Sequence, residues 1–160
     1  MIENKFTLTK QGLENLQNEL KFLLEVERPQ VLEDIASARA FGDLSENADY
    51  DAARNKQSEI EAKIGRIERI LKNSVIVEFS KSADKVSFGN FVEVSDLETG
   101  DLMVFQIVGS VEADPLKGTI ADTSPLAEAI FGKKIGERAM VKVAQQYEVE
   151  VLRISTEKFD

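Results

Sequence analysis

The chain has 160 residues and a formal net charge of −9, with 29 acidic side chains against 20 basic ones. It contains neither cysteine nor histidine, which excludes disulfides, thiolate zinc sites and the commonest general base. The acid excess argues against general coating of nucleic acid; no apolar run is long enough to span a membrane, and Met1-Ile2-Glu3-Asn4 lacks a signal peptide's pattern, so a cytoplasmic protein is expected.

From residue 9 to residue 40 the apolar residues Leu13, Leu16, Leu20, Leu24, Val31, Ile35 and Ala38 recur mostly three, four or seven apart. This spacing predicts a helix with one narrow apolar stripe. Thr9 is the expected N-cap. Pro29 should bend the helix or remove one hydrogen bond without ending it, because the stripe resumes beyond it. A second stripe follows at Ala53, Ile60, Ile64, Ile67, Leu71 and Ser74. Only a short acidic turn separates the two, so they should pair as an antiparallel coiled-coil hairpin. At about 1.5 Å per residue, such an arm would reach roughly 45 Å.

After the second stripe the period becomes alternating. Residues 75–79 read as a strand, and residues 91–94 and 102–108 as a hairpin around a turn-rich loop. Ser124 as N-cap, Pro125 at the first helical position and Gly132 beyond the end predict a short helix. Residues 140–143 and 147–154 close the pattern as a strand pair. The expected fold class is therefore α+β: residues 1–76 form the hairpin and residues 77–160 a small antiparallel sheet domain with one short helix. Residues 80–85 read as the linker. Phe79, Phe88, Phe91, Phe105 and Phe131 read as core.

The turn itself is Gly42-Asp43-Leu44-Ser45-Glu46-Asn47. Asp43 and Glu46 have the spacing of a capping box, and acid near a helix start is favoured by the macrodipole; Ser45 could also cap. The second reading is divalent-cation chemistry. Magnesium typically takes one or two protein carboxylates and keeps several waters, so two carboxylates at an exposed turn could complete a site whose other ligands come from a partner. Spacing alone leaves both readings open.

The stretch Ala38-Arg39-Ala40-Phe41-Gly42-Asp43-Leu44-Ser45-Glu46-Asn47-Ala48-Asp49-Tyr50-Asp51-Ala52-Ala53-Arg54 resembles the signature of the bacterial Gre transcript-cleavage factors, of the GreA type. The resemblance extends to Leu8-Thr9-Lys10-Gln11-Gly12-Leu13, to Arg28-Pro29, and to Ser124-Pro125-Leu126-Ala127 with Gly132-Lys133-Lys134-Ile135-Gly136. It implies a coiled coil joined to an FKBP-like domain, acting as a monomer on RNA polymerase. The coiled coil would enter the secondary channel of a backtracked complex and stimulate the polymerase's own cleavage near the nascent RNA 3′ end, so the chain would not be an enzyme itself.

By that resemblance Asp43 and Glu46 would help bind a Mg2+ ion shared with the polymerase and position the attacking water. Ser45 and Asn47 would shape the tip, with Tyr50 supporting it. Arg39 and Arg54 match positions that contact the RNA 3′ end; the plainer alternative is solvated helix arginines paired with acids such as Asp51. Asp122, Thr123, Ser124 and Pro125 would dock on the channel rim. Two other functions stay open: a Gre-like inhibitor of polymerase, and a chaperone-like coiled coil whose activity ignores the tip.

Overall fold

The computed structural model describes residues 5–41 and 47–160. The chain divides into two compact units: one spans Leu13–Ser74, the other joins Phe6–Gly12 to Val75–Asp160.

The first unit is helical. Helix α1 (Lys10–Phe22), of which residues 13 onward belong here, runs through a π-helical turn at Leu23–Glu27 into α2 (Arg28–Ala40), and α3 (Ala48–Lys72) packs along α2. The expected bend at Pro29 takes the form of the π turn. The proline has no N–H, and its ring would press on the carbonyl four residues back. Within the wider turn the Arg28 N–H reaches the Leu23 carbonyl, one residue further than in an α-helix. The extra residue changes the register: Leu23 is buried, whereas Leu24, expected on the stripe, is half-buried.

The seam then follows the predicted positions. Val31, Ile35 and Ala38 from α2 are buried, as are Ala53, Ile60, Ile64 and Ile67 from α3. Ile70 joins them, and Leu71 is half-buried. Each fully buried aliphatic side chain contributes about 1.5–3 kcal/mol, which one-sided helices obtain only by pairing. On one flank Arg28 donates twice to Glu61, Nε to Oε1 at 2.8 Å and a terminal nitrogen to Oε2 at 2.9 Å.

The second unit is a five-stranded sheet. Its strands are β3 (Phe91–Asp96), β4 (Leu102–Val108), β5 (Thr119–Ala121), β6 (Arg138–Val141) and β7 (Tyr147–Ser155), in the order β5-β4-β3-β7-β6. The β3–β4 hairpin and the β6–β7 pair are antiparallel, as the alternating patterns predict, and β7 lies between β3 and β6. The short β5, not foreseen, joins β4 in parallel. Alternation in β7 breaks near Leu152: Val149 and Val151 point inward, and the next buried residue is Ile154. The register shift opposite Glu93 and Val94 accounts for this three-residue step as a β-bulge.

Helix α4 (Pro125–Ile130) closes the core by burying Ala127 and Ile130. It ends as expected at Gly132, whose φ of 80° is a left-handed conformation that glycine adopts without a Cβ penalty. Two phenylalanines depart from expectation. Phe88 and Phe105 are buried and Phe91 is half-buried, but Phe79 is 43% exposed and Phe131 50%. Phe79 packs one side of its ring on Phe88, with 5.5 Å between centroids; Phe131 terminates α4, where the chain turns away from the core.

Residues 6–12 belong to this unit. Phe6–Leu8 forms β1, which pairs with β2 (Ser74–Ile76), and the Val77 N–H donates to the Leu8 carbonyl at 2.8 Å. The strand expected over residues 75–79 is thus shorter and lies outside the main sheet. Thr9 caps α1 as predicted, accepting from the Gly12 N–H at 3.0 Å. Glu112 holds that cap in turn: its Oε1 accepts from the Thr9 hydroxyl at 2.6 Å, its Oε2 from the Thr9 N–H at 3.3 Å. Residues 80–85, expected as a linker, are tied down: the Ser80 N–H donates to the Phe88 carbonyl, and the fully buried Asn90 donates to the Ser82 carbonyl.

Candidate functional site

The hairpin narrows to its end through one residue, Asn47. It precedes α3, and its side-chain oxygen accepts from the Tyr50 N–H at 3.0 Å, which makes it the N-cap. Its amide nitrogen donates to the carbonyl of Ala38, near the end of α2, at 2.7 Å. One short side chain thus caps one helix and satisfies an end carbonyl of the other. The capping role weighed for Asp43 and Ser45 is filled by Asn47. Asp43, Ser45 and Glu46 themselves lie outside the described residues.

Tyr50, one helical turn into α3, meets Arg39 from α2. An Arg39 terminal nitrogen donates to the Tyr50 hydroxyl at 3.4 Å, and the guanidinium carbon lies 5.7 Å from the ring centre. The hydrogen bond from Arg39 is the main cause that draws the Tyr50 pKa below its ordinary value. The positive charges of Arg39 and Arg54 act in the same direction, while desolvation and the Asp51 charge oppose them. Arg54 donates to Gln57 one turn further on, at 3.2 Å. The alternative pairing of these arginines with Asp51 is not formed among the described residues. Asn47, Tyr50, Arg39 and Arg54 therefore share the end of the hairpin, with two guanidinium groups held near one phenol.

Carboxylate oxygens suit a hard divalent cation such as magnesium. Among the described residues no group of three or more acidic side chains is arranged to hold a metal.

In the sheet unit, residues 122–125 lead from β5 into α4. The Asp122 N–H donates to the Val108 carbonyl at 2.7 Å, and the Ser124 hydroxyl accepts from the Ala127 N–H at 3.3 Å, so Ser124 is the predicted cap. Thr123 and Pro125 are exposed. Asp122 Oδ1 is buried and has no hydrogen-bond partner. A buried acceptor is costly unless water or another donor satisfies it. Pro125 also edges a groove of about 540 Å3 between α4 and β6, where Lys133, Arg138 and Lys142 gather. Sequence reasoning missed both the groove and the Asn47–Ala38 bridge. The groove carries no local signal, since its walls lie on separate elements; Asn47 at the helix start was a readable cap.

Comparison with known proteins adds two domain matches. Residues 6–76 match the family described as "Transcription elongation factor, N-terminal", and residues 81–156 match "Transcription elongation factor, GreA/GreB, C-term". The chain is 47% identical over 150 residues to the transcription elongation factor GreA of Mesoplasma florum, covering 92% of this chain and 96% of that protein. It is 40% identical over 157 residues to the GreA of Mesomycoplasma hyopneumoniae strain J, covering 98% of each. It also aligns with a solved structure of the transcription factor Gfh1 at 27% identity and a TM-score of 0.47, over 96% of this chain and 99% of that one.

Proposed function

This chain belongs to the GreA/GreB family of transcription elongation factors, and we propose that it acts on backtracked RNA polymerase by stimulating the polymerase's own cleavage of the nascent transcript. The hairpin enters the secondary channel and presents its turn to the active centre. The sheet unit docks at the channel rim through Asp122, Thr123, Ser124 and Pro125, with the unpaired Asp122 oxygen receiving a donor there.

At the turn, Asp43 and Glu46 would hold a Mg2+ ion in common with the polymerase. Such an ion supplies charge stabilisation in the in-line displacement that breaks the phosphodiester bond. The chain's own residues do the positioning. Asn47 ties the end of α2 to the start of α3, the two helices that carry the turn. Arg39 and Arg54 offer guanidinium groups to the RNA 3′ phosphates, and Tyr50 orients Arg39.

The observation that supports this reading best is that Asn47, Tyr50, Arg39 and Arg54 come together at the end of the hairpin, next in sequence to the turn that carries Asp43 and Glu46. The test uses stalled, backtracked elongation complexes with labelled RNA. Wild-type protein should shorten the transcript from its 3′ end only when polymerase and magnesium are present. Asp43→Ala and Glu46→Ala should bind polymerase normally and stimulate at least about tenfold less, the scale on which lost transition-state contacts are read. Equal stimulation by both variants, or cleavage of free RNA without polymerase, would refute the proposal.

A further inference from the structure

The helical hairpin has two unlike flanks. On one, Arg28 pairs with Glu61, Arg39 with Tyr50 and Arg54 with Gln57. On the other lies an open groove of about 380 Å3 between α2 and α3. The small side chains Ala38, Ala52 and Ala53 leave it open; Phe41 and Asp49 stand at the end nearer the turn, Asp34 and Lys56 at the far end.

The two ends differ in charge. At the far end Asp34 accepts from Gln30 at 3.0 Å, and Lys56 also lines the groove. Toward the turn the described lining is Phe41 and Asp49, an aromatic face and a carboxylate; the lysine of the lining, Lys56, stands at the other end. Phe41 is 81% exposed. A single exposed phenylalanine is ordinary, and an aspartate in the first turn of a helix is favoured by its dipole. Their combination at the mouth of a groove is the feature that calls for a ligand.

The sheet unit of this chain shows what fills such a combination. There Arg153 pairs with Glu93 and lays its guanidinium 4.1 Å from the centre of the Phe159 ring. A planar guanidinium suits both contacts at once, stacking on the ring while its N–H groups bond the carboxylate. The Phe41–Asp49 end offers the same two groups, and no arginine is among the described residues lining the groove.

We infer that this end of the groove receives an arginine side chain from a polypeptide of RNA polymerase when the hairpin is inserted, an inference that rests on the proposed function. The hairpin then divides its work: the arginine-bearing flank faces RNA, and the aromatic and acidic flank grips the protein wall. Phosphate is disfavoured on this second flank, because Asp34 and Asp49 outnumber Lys56.

The test measures affinity for the cognate core RNA polymerase free of nucleic acid, by displacement of fluorescently labelled wild-type protein. Phe41→Ala and Asp49→Asn should each weaken binding about tenfold, the size expected for losing a desolvated stacked cation or a charge-assisted hydrogen bond. Phe41→Trp should bind like wild type, and so should Asp51→Asn, which removes a neighbouring first-turn acid outside the groove. At saturating protein, transcript cleavage by Phe41→Ala should equal wild type, so the defect lies in binding alone. Unchanged affinity in both groove variants would overturn the inference and leave the proposed function standing. A defect seen only when RNA is present, and varying with its 3′ nucleotide, would assign the groove to RNA instead. Failure of the wild-type protein to bind core polymerase would remove the proposed function and this inference together.

Discussion

Asn47 donates to the Ala38 carbonyl at 2.7 Å while its own side-chain oxygen caps α3. The two helices are therefore joined by one amide group at the point where they approach the turn. Asn47→Ala should cost about 1 kcal/mol from the lost cap and some further stability, because the Ala38 carbonyl would keep only the longer bond from the Phe41 N–H, 3.4 Å. Asn47→Asp separates the two effects, because aspartate caps well and cannot donate. If the bridge matters, the aspartate variant should keep most of the thermal stability yet stimulate transcript cleavage less than wild type. Full activity in Asn47→Asp would reduce the residue to a cap.

The Arg28–Glu61 pair predicts how the hairpin responds to acid. The hydrogen bond from Arg28 is the main cause that holds the Glu61 carboxyl below its ordinary pKa. A carboxyl depressed in the folded state stabilises the fold fully above its unfolded value, about 4.3, and loses that contribution as pH falls through the lower folded value. The melting temperature should therefore drop on acidification below the ordinary glutamate range, and Glu61→Gln should flatten part of that drop. Both partners are exposed, so the effect should shrink in high salt. Identical acid profiles for the two proteins would show that the pair contributes nothing measurable.

Two glycines should respond in opposite senses to alanine. A Cβ at Gly109 would collide with the Thr7 carbonyl oxygen, a backbone atom that cannot step aside. Gly109→Ala should destabilise the sheet unit by about 1–3 kcal/mol and speed hydrogen exchange at the Val77 N–H, which bonds Leu8 beside it. Gly65 lies within α3 with open space where its Cβ would stand. Gly65→Ala should stabilise the hairpin by about 0.5–1 kcal/mol through better helix propensity. Denaturant unfolding of both variants checks the pair of signs.

Short-range pattern carried much of this protein. The two apolar stripes, the Thr9 and Ser124 caps, Gly132 beyond α4 and the β3–β4 hairpin are each written within a few consecutive residues, because helix and strand periods and caps are local properties. The family was readable from the long motif around residues 38–54, and the domain matches and full-length relatives agree with it. Other features depended on partners far along the chain. Nothing near Thr9 announces that Glu112, 103 residues away, will hold its cap. Three residues at Phe6–Leu8 are too few for a strand period to show, and they became β1 only because β2 lay beside them. Leu23 replaced Leu24 on the seam because Pro29 was accommodated by a π turn, a choice made by packing against α3. At the turn, the carboxylate spacing admitted both a cap and a cation site. The cap of α3 itself depends on a contact across the hairpin: Asn47 reaches both Tyr50 and Ala38, a geometry that exists only once the two helices are paired.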